Sequence, residues 1–425
     1  MNVTISPKRA FVGEITAPPS KAYTQRALFT ALLSRGVTRI ETPLSCDDTE
    51  ATMNAISSLG ASVKREEEAK VWAVRGIGRP KATVKEIHCG ESGVTLRFTI
   101  PIASLTGAGI RLTGGGSLMR RPIEPLSEAM NQLGVRVVAE RDWVRVEGGP
   151  PKGGEAYIRG DISSQFISGL LLAGPMMARG LHLKLTSPLE SRGYVSLTIE
   201  ILNRHGIDVK SNDEMSSFKI PSGQRYRPAA HRVPGDYSSA AFAMSAAAIT
   251  GSKLLVRGLK RENREPDSAL VEILSQMGIQ TSFMKEGVSV EGSRPRAVTV
   301  DLRDFPDLGP VMAVLGCYAD GETRITGAGR LRYKESDRLA AVTAELRSLG
   351  AEIEETEEGL LASGRRSLNA GVVHSHGDHR IAMALSIAAM GARDAVVIKG
   401  AECVSKSYPN FFDDLRSLGV EIVGG

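Results

Sequence analysis

Apolar and polar positions along the chain repeat six times in one pattern. Each repeat begins with an Ala-, Leu- and Met-rich run that is apolar on most sides. These runs cover 20–33, 92–105, 163–177, 238–249, 310–317 and 379–390. A helix apolar all round is a buried helix, so six buried helices are predicted. A short β-like run follows each one, as in Val37-Thr38-Arg39-Ile40 or Ala395-Val396-Val397-Ile398. Next comes an amphipathic run, such as 48–59, 122–133 or 339–349, closed by Gly and then by a run of alternating pattern. The closing glycines are Gly60, Gly134, Gly206, Gly278, Gly350 and Gly419, at intervals of 69–74 residues. Gly just past a helix end is the left-handed cap, so each repeat is predicted to be a βαβαββ module.

Six modules exceed what one core supports, so the expected division is three plus three. The polar Gly/Pro stretch Ser222-Gly223-Gln224-Arg225-Tyr226-Arg227-Pro228 marks the join. The β-like run Phe11–Ile15 precedes the first helix, and its pattern alone fits either half.

Composition narrows the function classes. The 425 residues are 42% hydrophobic and 24% charged, as in ordinary globular proteins. No apolar run is long enough to span a membrane, and no signal-peptide core follows Met1. Cys46, Cys89, Cys317 and Cys403 are scattered without metal-ligand spacing, so no metal is expected and a reducing cytoplasm is. Cys403 lacks a partner base and is read as inert. A net charge of +5 permits small anions without requiring nucleic acid, and 5% aromatic content leaves few stacking platforms. Gly107-Ala108-Gly109 and Gly114-Gly115-Gly116-Ser117 lack dinucleotide and P-loop spacing.

The unusual residues collect at the turns that open the helices. One set is Lys21 and Arg26, Glu91-Ser92-Gly93, Ser163-Ser164-Gln165, Gly235-Asp236, Asp304-Phe305-Pro306-Asp307 and Gly377-Asp378-His379-Arg380. The other is Asp47-Asp48, Arg120-Arg121-Pro122, Ser191-Arg192-Gly193-Tyr194, Arg264-Glu265, Lys334-Glu335-Ser336-Asp337-Arg338 and Lys406-Ser407. A helix N-terminus offers unpaired N–H groups and about half a positive charge. Lys21, Arg26, Arg121, Arg192, Lys334, Arg338, Arg380 and Lys406 add full charges, which predicts a small polyanionic ligand. Placing the helix start within Lys334–Arg338 sets Lys334 and Arg338 on one face at i, i+4. Asp47 and Asp48 are read as acids that cap a helix and complement its dipole, and Ser163 and Ser164 also suit N-cap positions.

With these motifs in this order, the chain resembles the 5-enolpyruvylshikimate-3-phosphate synthase family over nearly its whole length. The resemblance rests on Pro19-Ser20-Lys21 with Arg26, Gly93 with Arg97, Arg121-Pro122-Ile123, Ser163-Ser164-Gln165-Phe166 and Ser191-Arg192-Gly193-Tyr194. It continues in Pro306-Asp307, Lys334 to Arg338, Asp378-His379-Arg380 and Lys406-Ser407-Tyr408-Pro409. It implies an α/β fold of two similar domains. Each would hold three βαβαββ repeats around a pseudo-threefold axis, with the active site in the interdomain cleft. The implied domains are 20–228, on the shikimate 3-phosphate side, and 1–19 plus 229–425, on the phosphoenolpyruvate and acid/base side. A hinge closing over the substrates is expected, in a cytoplasmic monomer without cofactor.

The implied reaction moves the enolpyruvyl group of phosphoenolpyruvate to the 5-hydroxyl of shikimate 3-phosphate through a tetrahedral adduct. Catalysis is implied for Lys21, Asp307 and Glu335. Lys21, Arg26, Ser163, Ser164, Gln165, Ser191, Tyr194, Asp307 and Lys334 would bind shikimate 3-phosphate. Lys21, Gly93, Arg121, Gln165, Arg338, His379, Arg380 and Lys406 would bind phosphoenolpyruvate. Three positions depart from the family pattern: Ala22 for Ser, Val94 for Thr and Arg330 for Asn. Two competing readings are a UDP-N-acetylglucosamine enolpyruvyl transferase and a repeat scaffold binding RNA. The loop Gly114 to Arg120 lacks the Cys of the former, and the scaffold leaves Asp307, Glu335 and His379 at the turns unexplained.

Overall fold

A computed structural model describes residues 1–425 except Gly148, Arg264, Arg366 and Gly425. Arg264, one of the turn residues named above, therefore lies outside the described residues. The chain forms two compact units, one of Met1–Pro18 with Pro234–Gly425 and one of Pro19–Val233.

The Pro19–Val233 unit contains three four-stranded sheets among its described residues, and each follows one plan. In one, Glu86–His88 pairs parallel with Ile110–Thr113, which pairs antiparallel with Val144–Glu147, and Arg136–Ala139 forms the far edge. Helices Gly93–Ser104 and Glu124–Gln132 connect these strands, giving βαβαββ in chain order. The sheet led by Gly154–Ile158 repeats the plan. In the third sheet the leading strand comes from the far end of the unit. Ala230–Arg232 pairs parallel with Arg35–Glu41, so the strand ahead of helix Lys21–Leu33 is supplied by sequence beyond 228.

The other unit makes the reciprocal arrangement. Val12–Thr16 pairs parallel with Lys253–Arg257 and leads the sheet that includes helix Tyr237–Thr250. Asn2–Ile5 takes the third place in the sheet of Gly371–His374, Val396–Lys399 and Ile422–Val423. The N-terminal residues thus complete sheets of the C-terminal modules.

The six apolar helices are buried as their composition requires. Lys21–Leu33, Gly93–Ser104 and Ser164–Ala173 lie in the core of one unit; Tyr237–Thr250, Gly309–Tyr318 and His379–Met390 pack together in that of the other. The run expected over 163–177 ends as an α-helix at Ala173, and Gly174-Pro175-Met176 continues as a 3₁₀ turn. All six capping glycines have positive φ, from +76° at Gly419 to +103° at Gly60. At Gly134 the next amide, Val135 N, bonds Met130 O at 2.9 Å, and Ile207 N bonds Leu202 O at 3.0 Å. This six-to-one bond is the Schellman closure, which satisfies orphan carbonyls at the end of each amphipathic helix.

Candidate active site

Two clusters of functional side chains form, one in each unit. In the C-terminal unit the cluster centres on Arg338, whose side chain is almost wholly buried. The stretch leading to it is not a helical turn, contrary to the i, i+4 expectation. Gly329–Tyr333 is a 3₁₀ helix, Lys334-Glu335-Ser336 form the turn after it, and Asp337 caps helix Arg338–Ser348 by accepting from Ala340 N. The Asp337 cap outcompetes an earlier start because a carboxylate there satisfies an orphan N–H. Lys334 and Arg338 nevertheless meet, at Asp307.

The Asp307 carboxylate accepts from Lys334 Nζ at 3.3 Å, Arg338 Nη1 at 3.0 Å and Arg380 Nη2 at 3.1 Å. Arg338 also donates to Glu335 Oε2 at 2.7 Å and, through Nε, to Asp378 Oδ2 at 2.8 Å. Lys406 Nζ stands 3.1 Å from the other Glu335 oxygen. Asp378 caps helix His379–Met390, accepting from Arg380 N at 2.9 Å, so it aims His379 and Arg380 from the helix start. Asp307 sits on the 3₁₀ turn Pro306–Leu308, just ahead of helix Gly309–Tyr318, and Lys406 ends the 3₁₀ helix Ala401–Lys406.

Electrostatics follow from this packing. Burial alone would raise the Asp307 carboxyl, but Arg380, Lys334 and Arg338 hold it well below the usual carboxylate range. Burial draws the Lys334 ammonium down from its ordinary value, opposed by Asp307. Arg338 resists the same burial because Asp378, Glu335 and Asp307 surround it, and its guanidinium is held more firmly protonated than usual. Asp267 behaves oppositely. Burial pushes its carboxyl up to about 7, Asp307 and Asp236 add to the rise, and Arg380 opposes it. Ser238 Oγ donates to Asp267.

The Pro19–Val233 unit carries the second cluster. Lys21, the first residue of helix Lys21–Leu33, pairs with Asp48 at 2.7 Å. Asp48 lies in the first turn of helix Asp47–Ser58, where an acid complements the helix dipole and Cys46 is the cap, and its carboxylate also meets Lys21. Arg26 is 1% exposed, donates to Thr198 Oγ1 at 2.8 Å and to the carbonyls of Ala22 and Tyr194, and lies over the rings of Phe98 and Tyr194. Ser163 caps helix Ser164–Ala173 and accepts from Gln165 N. The Gln165 carbonyl accepts from Arg97 Nη1 at 2.8 Å.

Gly93 opens helix Gly93–Ser104 behind the Ser92 cap. A Cβ there would lie 3.2 Å from Arg121 Nη1, 3.3 Å from Arg97 Nη1 and 3.3 Å from Gln165 Oε1. The structure therefore brings Gly93, Arg121 and Gln165 together, with Arg97 among them. Ser191 precedes helix Arg192–Arg204 in the left-handed region at φ +55°, and Tyr194 lies in the first turn of that helix. Ala22 and Val94 pack against the core of this unit, and Arg330, in the other unit, donates to Arg303 O at 2.6 Å.

Arg97 and Asp48 stand in the sequence motifs without a substrate role, and Asp267 stands outside them. Arg97 was visible at i+4 from Gly93 within a buried helix, where an Arg requires a partner. Asp48 and Asp267 gave no local signal, because their partners are 27 and 29 residues away in sequence.

Carboxylates paired with buried cations near helix starts make clusters suited to small acidic ligands. A profile of the family described as EPSP synthase (3-phosphoshikimate 1-carboxyvinyltransferase) matches residues 5–415. The 3-phosphoshikimate 1-carboxyvinyltransferase of Methanocaldococcus jannaschii is 38% identical over 416 residues, covering 96% of each chain. That of Clostridium kluyveri is 37% identical over 421 residues, 99% of this chain and 98% of its own. The EPSP synthase structure of Acinetobacter baumannii superposes with a TM-score of 0.82 at 27% identity, covering 100% of both chains. The chain belongs to the EPSP synthase family. It is an enzyme of that type, a transferase of a carboxyvinyl group in the shikimate pathway of aromatic biosynthesis. Neither the UDP-N-acetylglucosamine transferase nor the RNA scaffold gains support from these relatives.

Proposed function

We propose that the two clusters divide the work of this transfer between them. Phosphoenolpyruvate is held by Arg121, Arg338, His379, Arg380 and Lys406, with Gly93, Gln165 and Lys21 beside it. Shikimate 3-phosphate takes its phosphate contacts from Ser163, Ser164 and Ser191. Arg26, Tyr194, Gln165, Lys21, Asp307 and Lys334 hold the rest of that substrate. In this reading the Pro19–Val233 unit, expected over 20–228, is the shikimate 3-phosphate side, and Met1–Pro18 with Pro234–Gly425 is the phosphoenolpyruvate and acid/base side.

Glu335 protonates C3 of phosphoenolpyruvate, and Asp307 takes the proton of the attacking 5-hydroxyl. The adduct at C2 is tetrahedral. Glu335 then removes a C3 proton as the phosphate leaves, restoring the double bond, while Lys21 stabilises the attacking or leaving oxygen. One observation carries the assignment: Glu335 lies between Arg338 and Lys406, while Asp307 gathers Lys334, Arg338 and Arg380. An anionic substrate competes with these carboxylates for the same cations. A carboxylate that loses cationic partners takes up a proton more readily, which suits an acid that must donate to carbon.

We place the enzyme in the cytoplasm as a monomer that binds neither nucleic acid nor membrane. Among the described residues no helix is long and apolar enough to cross a membrane. The deciding experiment is phosphate release from phosphoenolpyruvate and shikimate 3-phosphate in the presence of chelator. Turnover that persists in wild type and collapses in Glu335→Gln and Asp307→Asn supports these roles. Full turnover in either variant removes that residue from proton transfer.

A further inference from the structure

We infer that Glu345 and His376 form a positioning pair that fixes the phosphoenolpyruvate side of the site. This rests on the reading that Arg338, His379, Arg380 and Lys406 hold that substrate. His376 has φ +55°, a left-handed conformation that is costly for a residue with a Cβ and persists only where surrounding contacts hold it. Two residues later comes Asp378, the cap that aims His379 and Arg380.

The contacts that hold the turn come from three directions. Glu345, on the same helix as Arg338, accepts from His374 N at 2.9 Å through one oxygen and meets His376 Nε2 at 2.7 Å with the other. Its side chain is 11% exposed, so little solvent competes for either oxygen. Ser375, between the two histidines, donates through Oγ to Gly400 O at 2.8 Å and through N to Lys399 O at 3.0 Å. Gly400 is the residue ahead of the 3₁₀ helix that ends in Lys406. Gly377 N and Asp378 N return bonds to Ser375, at 3.1 Å and 2.9 Å.

The turn is therefore the joint of three elements: the helix of Arg338, the helix of His379 and Arg380, and the segment reaching Lys406. Cutting the Glu345–His376 contact removes a restraint that holds this turn, and the three cation-bearing elements lose part of their shared reference.

Steady-state kinetics on the full chain tests this. In His376→Gly the backbone strain disappears, so thermal stability is expected to hold or rise. KM for phosphoenolpyruvate is nevertheless expected to rise about 5–10-fold, the worth of one ordinary hydrogen bond. KM for shikimate 3-phosphate should change less than about twofold. Glu345→Gln should raise the same KM, and the double variant should be no worse than the weaker single variant, because both cut one contact. Arg380→Lys is the control for the underlying reading. If it raises KM for phosphoenolpyruvate while His376→Gly and Glu345→Gln do not, the positioning role is overturned and the reading stands. If Arg380→Lys is also without effect, both fall together. A KM that rises only alongside a lower melting temperature in both variants reduces the pair to general structural support and overturns the inference.

Discussion

Glu335 accepts a 2.7 Å bond from Arg338, three residues on, across the start of a helix that Asp337 caps. Its second oxygen faces Lys406, so the carboxylate is bridged by two cations that are each less than a tenth exposed. Glu335→Gln keeps the size and one acceptor but cannot hold or release a proton. The expected outcome is a kcat lower by about 10²–10⁴-fold with a much smaller change in KM for either substrate. Single-turnover formation of the adduct from phosphoenolpyruvate and shikimate 3-phosphate separates the chemical step from product release. An unchanged adduct rate excludes Glu335 from the proton transfer.

Gly93 is the place where added volume has a defined address. A methyl group there comes within 3.3 Å of three polar atoms, on Arg121, Arg97 and Gln165. These are ends of side chains, so they can shift by a few tenths of an ångström rather than block folding. Gly93→Ala is therefore expected to fold normally and to raise KM for phosphoenolpyruvate about tenfold, with a smaller effect on kcat. Inhibitors resembling phosphoenolpyruvate should lose more affinity than the substrate does if they extend towards the new methyl group. Equal KM values for wild type and variant would remove Gly93 from the ligand contact.

Local chemistry made much of this architecture legible. Ala-rich runs that are apolar all round can only be buried, and Gly in the left-handed region after an amphipathic run can only end a helix. The six glycines consequently marked the modules. What escaped were contacts set by distant sequence. Ala230–Arg232 lies beyond the Pro228 break and pairs with Arg35–Glu41, a choice made by an open sheet edge and invisible in either strand. Lys334 and Arg338 were placed near each other for a wrong reason: the shared partner Asp307, rather than one turn of helix, joins them. Asp48 suits the first turn of a helix by its charge, and only the fold brings Lys21 to it.

Two buried histidines predict the acid limb of stability. His205 Nε2 and His231 Nε2 are 2.9 Å apart, Tyr23 Oη lies 3.1 Å from His231 Nδ1, and His205 Nδ1 is 2.7 Å from Arg227 O. One proton arrangement satisfies the chain: Tyr23 donates to His231, His231 to His205, and His205 to the carbonyl. It requires both rings to be neutral. Burial lowers His205 to about 4 and His231 to about 3, with Arg204 adding repulsion at each. The unfolded chain takes up these protons near the ordinary histidine value of ~6.5, so it binds more protons than the folded chain below that pH. Stability is thus fully present above pH ~6.5 and lost as pH falls towards 4, by roughly 3 kcal/mol from His205 alone. Denaturant unfolding at stepwise pH should show this slope in wild type and a shallower one in His205→Gln. Equal slopes would assign the acid sensitivity to other groups.

The cost of one capping glycine can be isolated at Gly206. Its φ is +79°, and a Cβ there would meet nothing nearer than Arg227 Cδ at 3.5 Å, an ordinary contact. Gly206→Ala therefore changes backbone strain without a clash. Gly350→Ala has the same sign of φ, at +82°, but its Cβ would lie 2.5 Å from Asn369 Nδ2. The first variant should lose about 1–2 kcal/mol, the penalty for a side chain in the left-handed region. The second should lose more, unless the Asn369 side chain swings away. Both glycines are remote in sequence from the proposed substrate contacts, so kcat and both KM values should stay within about twofold of wild type. Urea unfolding of the two variants side by side measures the difference. A loss at Gly206 below ~0.5 kcal/mol would mean that the helix ends there by relaxing its closing bond rather than by holding the left-handed residue.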